Sequence, residues 1–290
     1  MVKLTVAFQG EPGAFSEEAA VRFFGTDAVL LPCPTLREAF TAVVTGVAER
    51  AVVPVENSHT GSIMEAYDLL LEMRLAIVGE VALAVDHCLL ALPGTTMAEV
   101  RRVHSHPQAL AQCDGFLRRH GYEPAAAADT AGSARLLGEQ RPAAAAAIAP
   151  RRAATIYGLE VLASSIQDNP DNTTRFQVVA PPKTAAPADA DKTSLVLALR
   201  EDNAPGALFW CLATLAYWQV NLLKIESRPT RHRNWHYLFH LDLDAAATAP
   251  ACSAALAELS PKATLLRVLG SYRRAVLPVP GTGQSPAAGA

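Results

Sequence analysis

Two short stretches of the sequence concentrate the side chains that could do chemistry. Glu56, Asn57, Ser58, His59, Thr60 and Ser62 follow directly on the apolar run AVVPV. Asp168, Asn169, Asp171, Asn172, Thr173 and Thr174 lead into Arg175 and Phe176. A polar loop placed just after a strand of an open α/β sheet lies where such sheets bind ligands. An arginine beginning a strand at a cleft can fork onto a carboxylate through paired N–H donors. The second stretch is rich enough in oxygen to suggest calcium, but it lacks the EF-hand spacing.

Three further places offer polar groups. His104, Ser105 and His106 precede a helical segment. An HxH pair invites a metal reading, yet no acidic ligand follows at a recognisable spacing. A capped helix start with Ser105 or His106 near a ligand is the preferred reading. The glycines of Gly10-Glu11-Pro12-Gly13 would let backbone N–H groups face an anion at the next helix N-terminus, unless they merely make the turn. Farther on, Asn203, Pro205, Gly206, Ala207 and Leu208 open a helix, and Asn221 and Glu226-Ser227-Arg228-Pro229 flank the next strand. A glycine at a helix start can receive a carboxylate, which would suit a free amino acid. Turn and cap chemistry accounts for the same spacing.

The elements that must position these groups alternate. VKLTVAF, AVLLPC and RAVVPVE read as strands, with helices between them. Ser16 is expected to cap the first helix. Thr35 with Glu38, and Ser62 with Glu65, have capping-box spacing. The stretch 75–92 holds two strands that cross into a second lobe, where strand and helix continue to alternate. PQALAQCDGFLRRH reads there as one helix, and PRRAATIYG as a helix opened by Pro150. TRFQVVA (174–180) is a late strand that returns to the first lobe. After the Pro- and Ala-rich linker APPKTAAPADAD, the order is β-α-β-β-α-β, a ferredoxin-like motif.

Composition excludes more than it identifies. The chain has 290 residues, enough for about two domains. Half are hydrophobic and 18% charged, which excludes a disordered chain. Net charge is −3 with no basic stripe, so nucleic acid is not expected as a partner. No apolar run reaches the ~20 residues of a membrane span, and the N-terminus lacks the pattern of a signal peptide. We therefore expect a cytoplasmic protein without a membrane partner. The five cysteines form no CxxC pair and suit neither a disulfide framework nor a zinc site.

Taken together, the strings GEPGAFSEEAA, AVVPVENSHTGSI, GEVALAVDHCLLALPG, VHSHPQALAQC, SIQDNPDNTTRF, GALF and KIESRP resemble the prephenate dehydratase family. They run from residue 6 to about 272 in family order. The resemblance implies an α/β catalytic region of two lobes, similar to type II periplasmic binding proteins, over 1–182. Lobe one would be about 1–80 and 165–182, lobe two 81–164. A linker (183–191), a ferredoxin-like ACT domain (192–274) and a disordered tail (275–290) would follow. It implies conversion of prephenate to phenylpyruvate with loss of water and carbon dioxide, without metal or other cofactor. Thr174 of the TRF motif would be the catalytic residue. Arg175, Phe176, Glu56, Asn57, Ser58, Thr60, Gly61 and Ser105 are the expected substrate contacts. L-phenylalanine would bind as a feedback effector at Asn203, Pro205, Gly206, Ala207, Leu208, Asn221, Leu222, Glu226, Ser227 and Arg228, in a homodimer or homotetramer. The same strings are similar to arogenate dehydratases, which act on the amino form of the skeleton. A catalytically inactive amino-acid sensor is the remaining alternative.

Overall fold

In a computed structural model, the described residues are 3–200, 204–229 and 237–278; Asn203 and residues 279–290 of the expected tail lie outside them. The chain divides into two compact units, one built on residues 3–73 and 81–178, the other on 74–80 and 179–275.

The chain begins β1 (Thr5–Gln9), α1 (Phe15–Phe24), β2 (Val29–Cys33), α2 (Leu36–Val44), β3 (Arg50–Asn57), β4 (Gly61–Ser62), α3 (Met64–Glu72) and β5 (Ala76–Ala84). It continues β6 (Cys88–Ala91), β7 (Arg102–Ser105), α4 (Pro107–Gln112), α5 (Asp114–His120), β8 (Glu123–Ala126), α6 (Thr130–Gln140), β9 (Ala145–Ala149), α7 (Arg151–Tyr157), β10 (Glu160–Ala163) and β11 (Thr173–Ala180). Two sheets result. The first has the order β2-β1-β3-β11-β5, with β4 beside β3; the second is β10-β6-β9-β7-β8. The expected return of the 174–180 strand is therefore observed, with β11 inserted between β3 and β5. The apolar runs that read as strands are the buried centres of these sheets, as Val52, Val53 and Val55 of β3 and Ala145–Ala149 of β9 show.

Helix ends differ in places from the sequence reading. Thr35 caps α2 as expected, accepting the Glu38 N–H at 3.2 Å. Ser16 does not cap α1: Ala14 is the cap residue, and the Glu17 carboxylate instead accepts the Gly13 N–H at 2.6 Å. Ser62 lies in β4, and α3 starts from Ile63 without a side-chain cap. The expected single helix over 107–120 is broken at Cys113. Asp168 causes the break from far along the chain. Its backbone N–H donates to the Gln112 carbonyl at 2.8 Å, and its carboxylate accepts the Gly115 N–H at 3.0 Å.

The second unit contains β12 (Lys192–Leu199), α8 (Ala207–Tyr217), β13 (Leu222–Pro229), β14 (Tyr237–Leu243), α9 (Pro250–Leu259) and β15 (Ala263–Tyr272). The strands pair antiparallel in the order β13-β14-β12-β15, the ferredoxin-like arrangement. Leu195, Leu197, Leu215, Leu241 and Cys252 fill the core between sheet and helices. The other sheet face is polar yet buried. Lys192 Nζ lies 2.7 Å from Glu80 and 3.1 Å from Asp242, and Asp242 also accepts the Ser194 hydroxyl. Gly270 passes so near Ile77 that a Cβ would sit 1.9 Å from the Ile77 carbonyl oxygen, so only glycine fits. No helix among the described residues is long and apolar enough to cross a membrane.

Lys192 is the cation between two buried carboxylates. Replacing it by methionine removes one partner of a buried ion network, which typically costs ~3–5 kcal/mol. Lys192→Met should shift the denaturant midpoint accordingly. A variant as stable as the parent would contradict this account.

Candidate active site

Strand alternation decides which of the expected residues can meet a ligand. Thr174 and Phe176 are two apart on β11 and line a cavity of about 520 Å³ between the two sheets of the first unit. Arg175, between them, does not line it. Its Nη2 donates to Glu56 Oε2 at 2.5 Å. On β3, Pro54 and Asn57 line the cavity and Glu56 does not. The two charged residues expected to touch substrate thus engage each other.

Asn57 is buried, and its amide is held at both ends. Its Nδ2 donates to Asn172 Oδ1 (2.6 Å), Thr174 Oγ1 (3.0 Å) and the Thr173 carbonyl (3.3 Å). Its Oδ1 accepts from the backbone N–H groups of His59 (3.1 Å) and Thr60 (3.2 Å) and from the Thr60 hydroxyl (3.3 Å). A flipped amide would set N–H against N–H at the loop, so the orientation is fixed. Gly61 closes this loop at a φ of +78°, a conformation that suits glycine.

Ser58 and Ser105 are structural. Ser58 Oγ accepts the Thr173 N–H at 3.0 Å and donates to the Asp171 carbonyl at 3.2 Å, fastening the loop to the start of β11. Ser105 is wholly buried and donates to the Ile148 carbonyl at 2.7 Å, tying β7 to β9. Neither lines the cavity, nor do Thr60 and Gly61. The Gly10–Gly13 amides are also occupied: Gly10 donates to the Cys33 carbonyl and Gly13 to Glu17.

The opposite wall comes from the second sheet and its helices. His106 lines the cavity and caps α4, with its Nδ1 accepting the Gln108 N–H at 3.2 Å. Asp129 caps α6 by accepting the Gly132 N–H at 2.5 Å. His87 lies 2.9 Å from Gln112 Oε1 through Nε2 and meets Phe15 edge-on. Burial holds its pKa below the usual histidine value, so it is neutral near pH 7. Burial also pushes the Cys88 thiol up to about 11 and the Cys113 thiol to about 12, so neither is a ready nucleophile. Side-chain bridges join the walls. Gln108 Nε2 donates to Thr60 Oγ1 at 2.9 Å, and Arg152 forks onto Glu17 at 3.0 and 3.1 Å.

His87, Gln108 and Asn172 were not among the residues expected at the site. Asn172 lay in plain view within a polar run. Gln108 could have been found two residues after His106, but His87, in the link between β5 and β6, carries no local signal.

The expected effector residues belong to the second unit. Gly206 begins α8 with a φ of +82°, and both Pro205 and Gly206 are exposed. Ala207 and Leu208 pack partly against the core. Asn221 Nδ2 donates to Asp244 at 3.4 Å. Leu222, Glu226, Ser227 and Arg228 lie on the edge strand β13, paired with β14.

A family model described as prephenate dehydratase matches residues 6–184. The chain is 45% identical over 280 residues to arogenate dehydratase/prephenate dehydratase 2, chloroplastic, of Arabidopsis thaliana, covering 93% of this chain and 73% of that one. Among solved structures, it is similar to a prephenate dehydratase from Arthrobacter aurescens in complex with L-Phe, with 37% identity, a TM-score of 0.85, and coverage of 93% and 90%. It is equally similar to GqqA, described as a novel type of quorum-quenching acylase, at 37% identity and TM-score 0.85, covering 93% of this chain and 98% of that one.

The depressed pKa of His87 has a consequence for stability. The unfolded chain binds a proton near pH 6.5 that the folded chain does not, so stability rises with pH across that region and falls as pH drops below it. His87→Gln should therefore lose less stability than the parent between pH 7.5 and 5.5 in denaturant titrations. Equal losses in both proteins would refute the assignment.

Proposed function

Because the chain belongs to the prephenate dehydratase family, we propose that its cavity converts prephenate to phenylpyruvate, carbon dioxide and water, on the way to phenylalanine. The observation that carries this reading is the 3.0 Å bond from Asn57 Nδ2 to Thr174 Oγ1. With an N–H already pointing at its oxygen, the Thr174 hydroxyl is left to donate its own hydrogen elsewhere, and Thr174 lines the cavity.

The reaction needs such a donor. The bond between ring and carboxylate breaks, and its electron pair joins the ring as carbon dioxide leaves. The C–O bond at C4 breaks the other way, and its pair departs with the oxygen. The ring becomes aromatic, which supplies driving force. Negative charge grows only on the leaving oxygen, and a hydrogen bond from Thr174 stabilises it there; solvent supplies the proton that completes water. The enzyme otherwise has to hold the substrate in place. No cofactor enters this scheme. The Asn57 bond also argues against Thr174 as an acyl-group nucleophile, because its recorded side-chain partner is a donor and not a base.

One feature of the wall favours a second substrate. Glu65 and Asp129 line the cavity, whereas its described lining includes no lysine or arginine. An acidic wall suits the ammonium group of arogenate, and the Arabidopsis relative bears both activities in its name.

The second unit is read as a phenylalanine-binding regulatory domain of ACT type. In support, Gly206 presents an exposed helix start. The Arthrobacter structure was solved with L-Phe. Exposed Phe209, Trp210 and Tyr217 on α8, with Leu223 and Ile225 on the edge strand, offer an apolar face for self-association into a dimer or tetramer. The five free cysteines support a cytoplasmic setting.

Thr174→Ala should lower kcat by ~10²–10⁴, with KM little changed, in an assay for phenylpyruvate formation. Near-normal kcat would refute the assignment. Side-by-side kcat/KM values for prephenate and arogenate, each measured with and without phenylalanine, decide the substrate and the regulation. An arogenate preference would favour the second reading, and rates indifferent to phenylalanine would refute the effector.

A further inference from the structure

The hydrogen bonds that converge on Thr174 all run in one direction. Gln108 Nε2 donates to Thr60 Oγ1 at 2.9 Å. A hydroxyl has one hydrogen, and Thr60 directs it to Asn57 Oδ1 at 3.3 Å. Asn57, whose amide orientation is fixed, donates in turn to Thr174 Oγ1 at 3.0 Å. Each residue in this chain accepts from the one before it and donates to the one after it. Hydrogen bonds arranged in series polarise one another, by ~10–30% per bond. The polarisation accumulates towards Thr174, and the end of the chain is the O–H that faces the cavity.

The first member lies on the other wall. Thr60, Asn57 and Thr174 belong to the first sheet and its loop, but Gln108 is carried by α4 beside the second sheet, and its side chain lines the cavity. The chain is complete only when the two walls stand at the separation seen here. We propose that Gln108 and Thr60 are positioning residues that switch on the Thr174 donor when the cleft closes over substrate. In the open cleft, Thr60 loses its incoming hydrogen bond and Thr174 becomes a weaker donor. Closure then does more than exclude water: it makes the departing oxygen's partner stronger at the moment it is needed. This inference rests on the reading of Thr174 as the donor.

The test uses the full-length enzyme and two exposed positions, where folding is not at risk. Gln108→Glu replaces the first donor by a group that only accepts, so the Thr60 hydrogen turns towards it and the link from Thr60 to Asn57 is lost. Thr60→Val removes the second link at nearly constant shape. Each single variant should lower kcat about tenfold, part of the full worth of a general acid, with KM within about twofold. Links of one chain do not act independently, so the double variant should be no slower than the worse single one. A structural or substrate-contact role predicts something else: losses that multiply, or a raised KM with kcat kept. Either result, or unchanged kinetics in both variants, overturns the proposal. Thr174→Ala measured alongside separates the two levels. If it keeps its kcat, the donor reading fails and takes this inference with it. If it loses kcat while the loop variants keep theirs, only the relay fails.

Discussion

The amide of Asn57 is the constraint on which the site depends. A single planar group is fixed at its oxygen end by two backbone N–H groups of its own loop, and at its nitrogen end by Asn172, Thr173 and Thr174 of a segment more than a hundred residues away. The loop cannot move without releasing β11, and the Thr174 hydroxyl cannot turn without losing its partner. Asn57 is 5% exposed and Asn172 2%, so water does not compete for these bonds, and their loss would leave buried polar groups unmet. The fixed geometry of this cluster is thus a property of packing: both strand ends are delivered side by side by the order β3-β11 in the sheet.

The two walls are held by bridges of different character. Glu17 is 7% exposed and takes three hydrogen bonds, one from Gly13 and two from the fork of Arg152. Tyr157 adds a bond to the Pro12 carbonyl, and Gly13 lies within van der Waals reach of Ala153. This contact is dense and partly desolvated. The Gln108–Thr60 bond is exposed and single. Exposed single bonds are made and broken at little net cost, whereas buried and multiply bonded groups are not. Between the walls the chain crosses twice. The crossings are bonded to each other through Val85 N–H to the Asn172 carbonyl and Ile166 N–H to the His87 carbonyl, so they move as a pair.

Much of this was legible in the sequence, for identifiable reasons. Alternating apolar runs gave both sheets, and β-α-β-β-α-β order gave the second unit, because both patterns are local. The polar runs at 54–63 and 165–176 marked the site because they stood out in an alanine-rich chain. The side of the strand that Arg175 takes was legible in principle. Thr174, Arg175 and Phe176 are consecutive on a strand, so the middle residue faces away from the other two. The break at Cys113 was not legible, since Asp168 bonds to both sides of it from more than fifty residues downstream. Ser105 looked like a site residue and is a buried tie. Nothing nearby reveals that its hydroxyl meets the Ile148 carbonyl.

The division of β5 bears on how this chain can be taken apart. Residues 74–80 pack with the second unit, where Glu80 meets Lys192 and Ile77 meets the bare backbone of Gly270, while the remainder of the same strand belongs to the first. The strand's two halves thus answer to different cores. Removing everything after residue 178 would leave residues 74–80 without the unit they pack with. It would strip half of one sheet strand of its neighbours and leave Glu80 a carboxylate without its cation. The boundary between the units therefore falls within β5 as well as near residue 178.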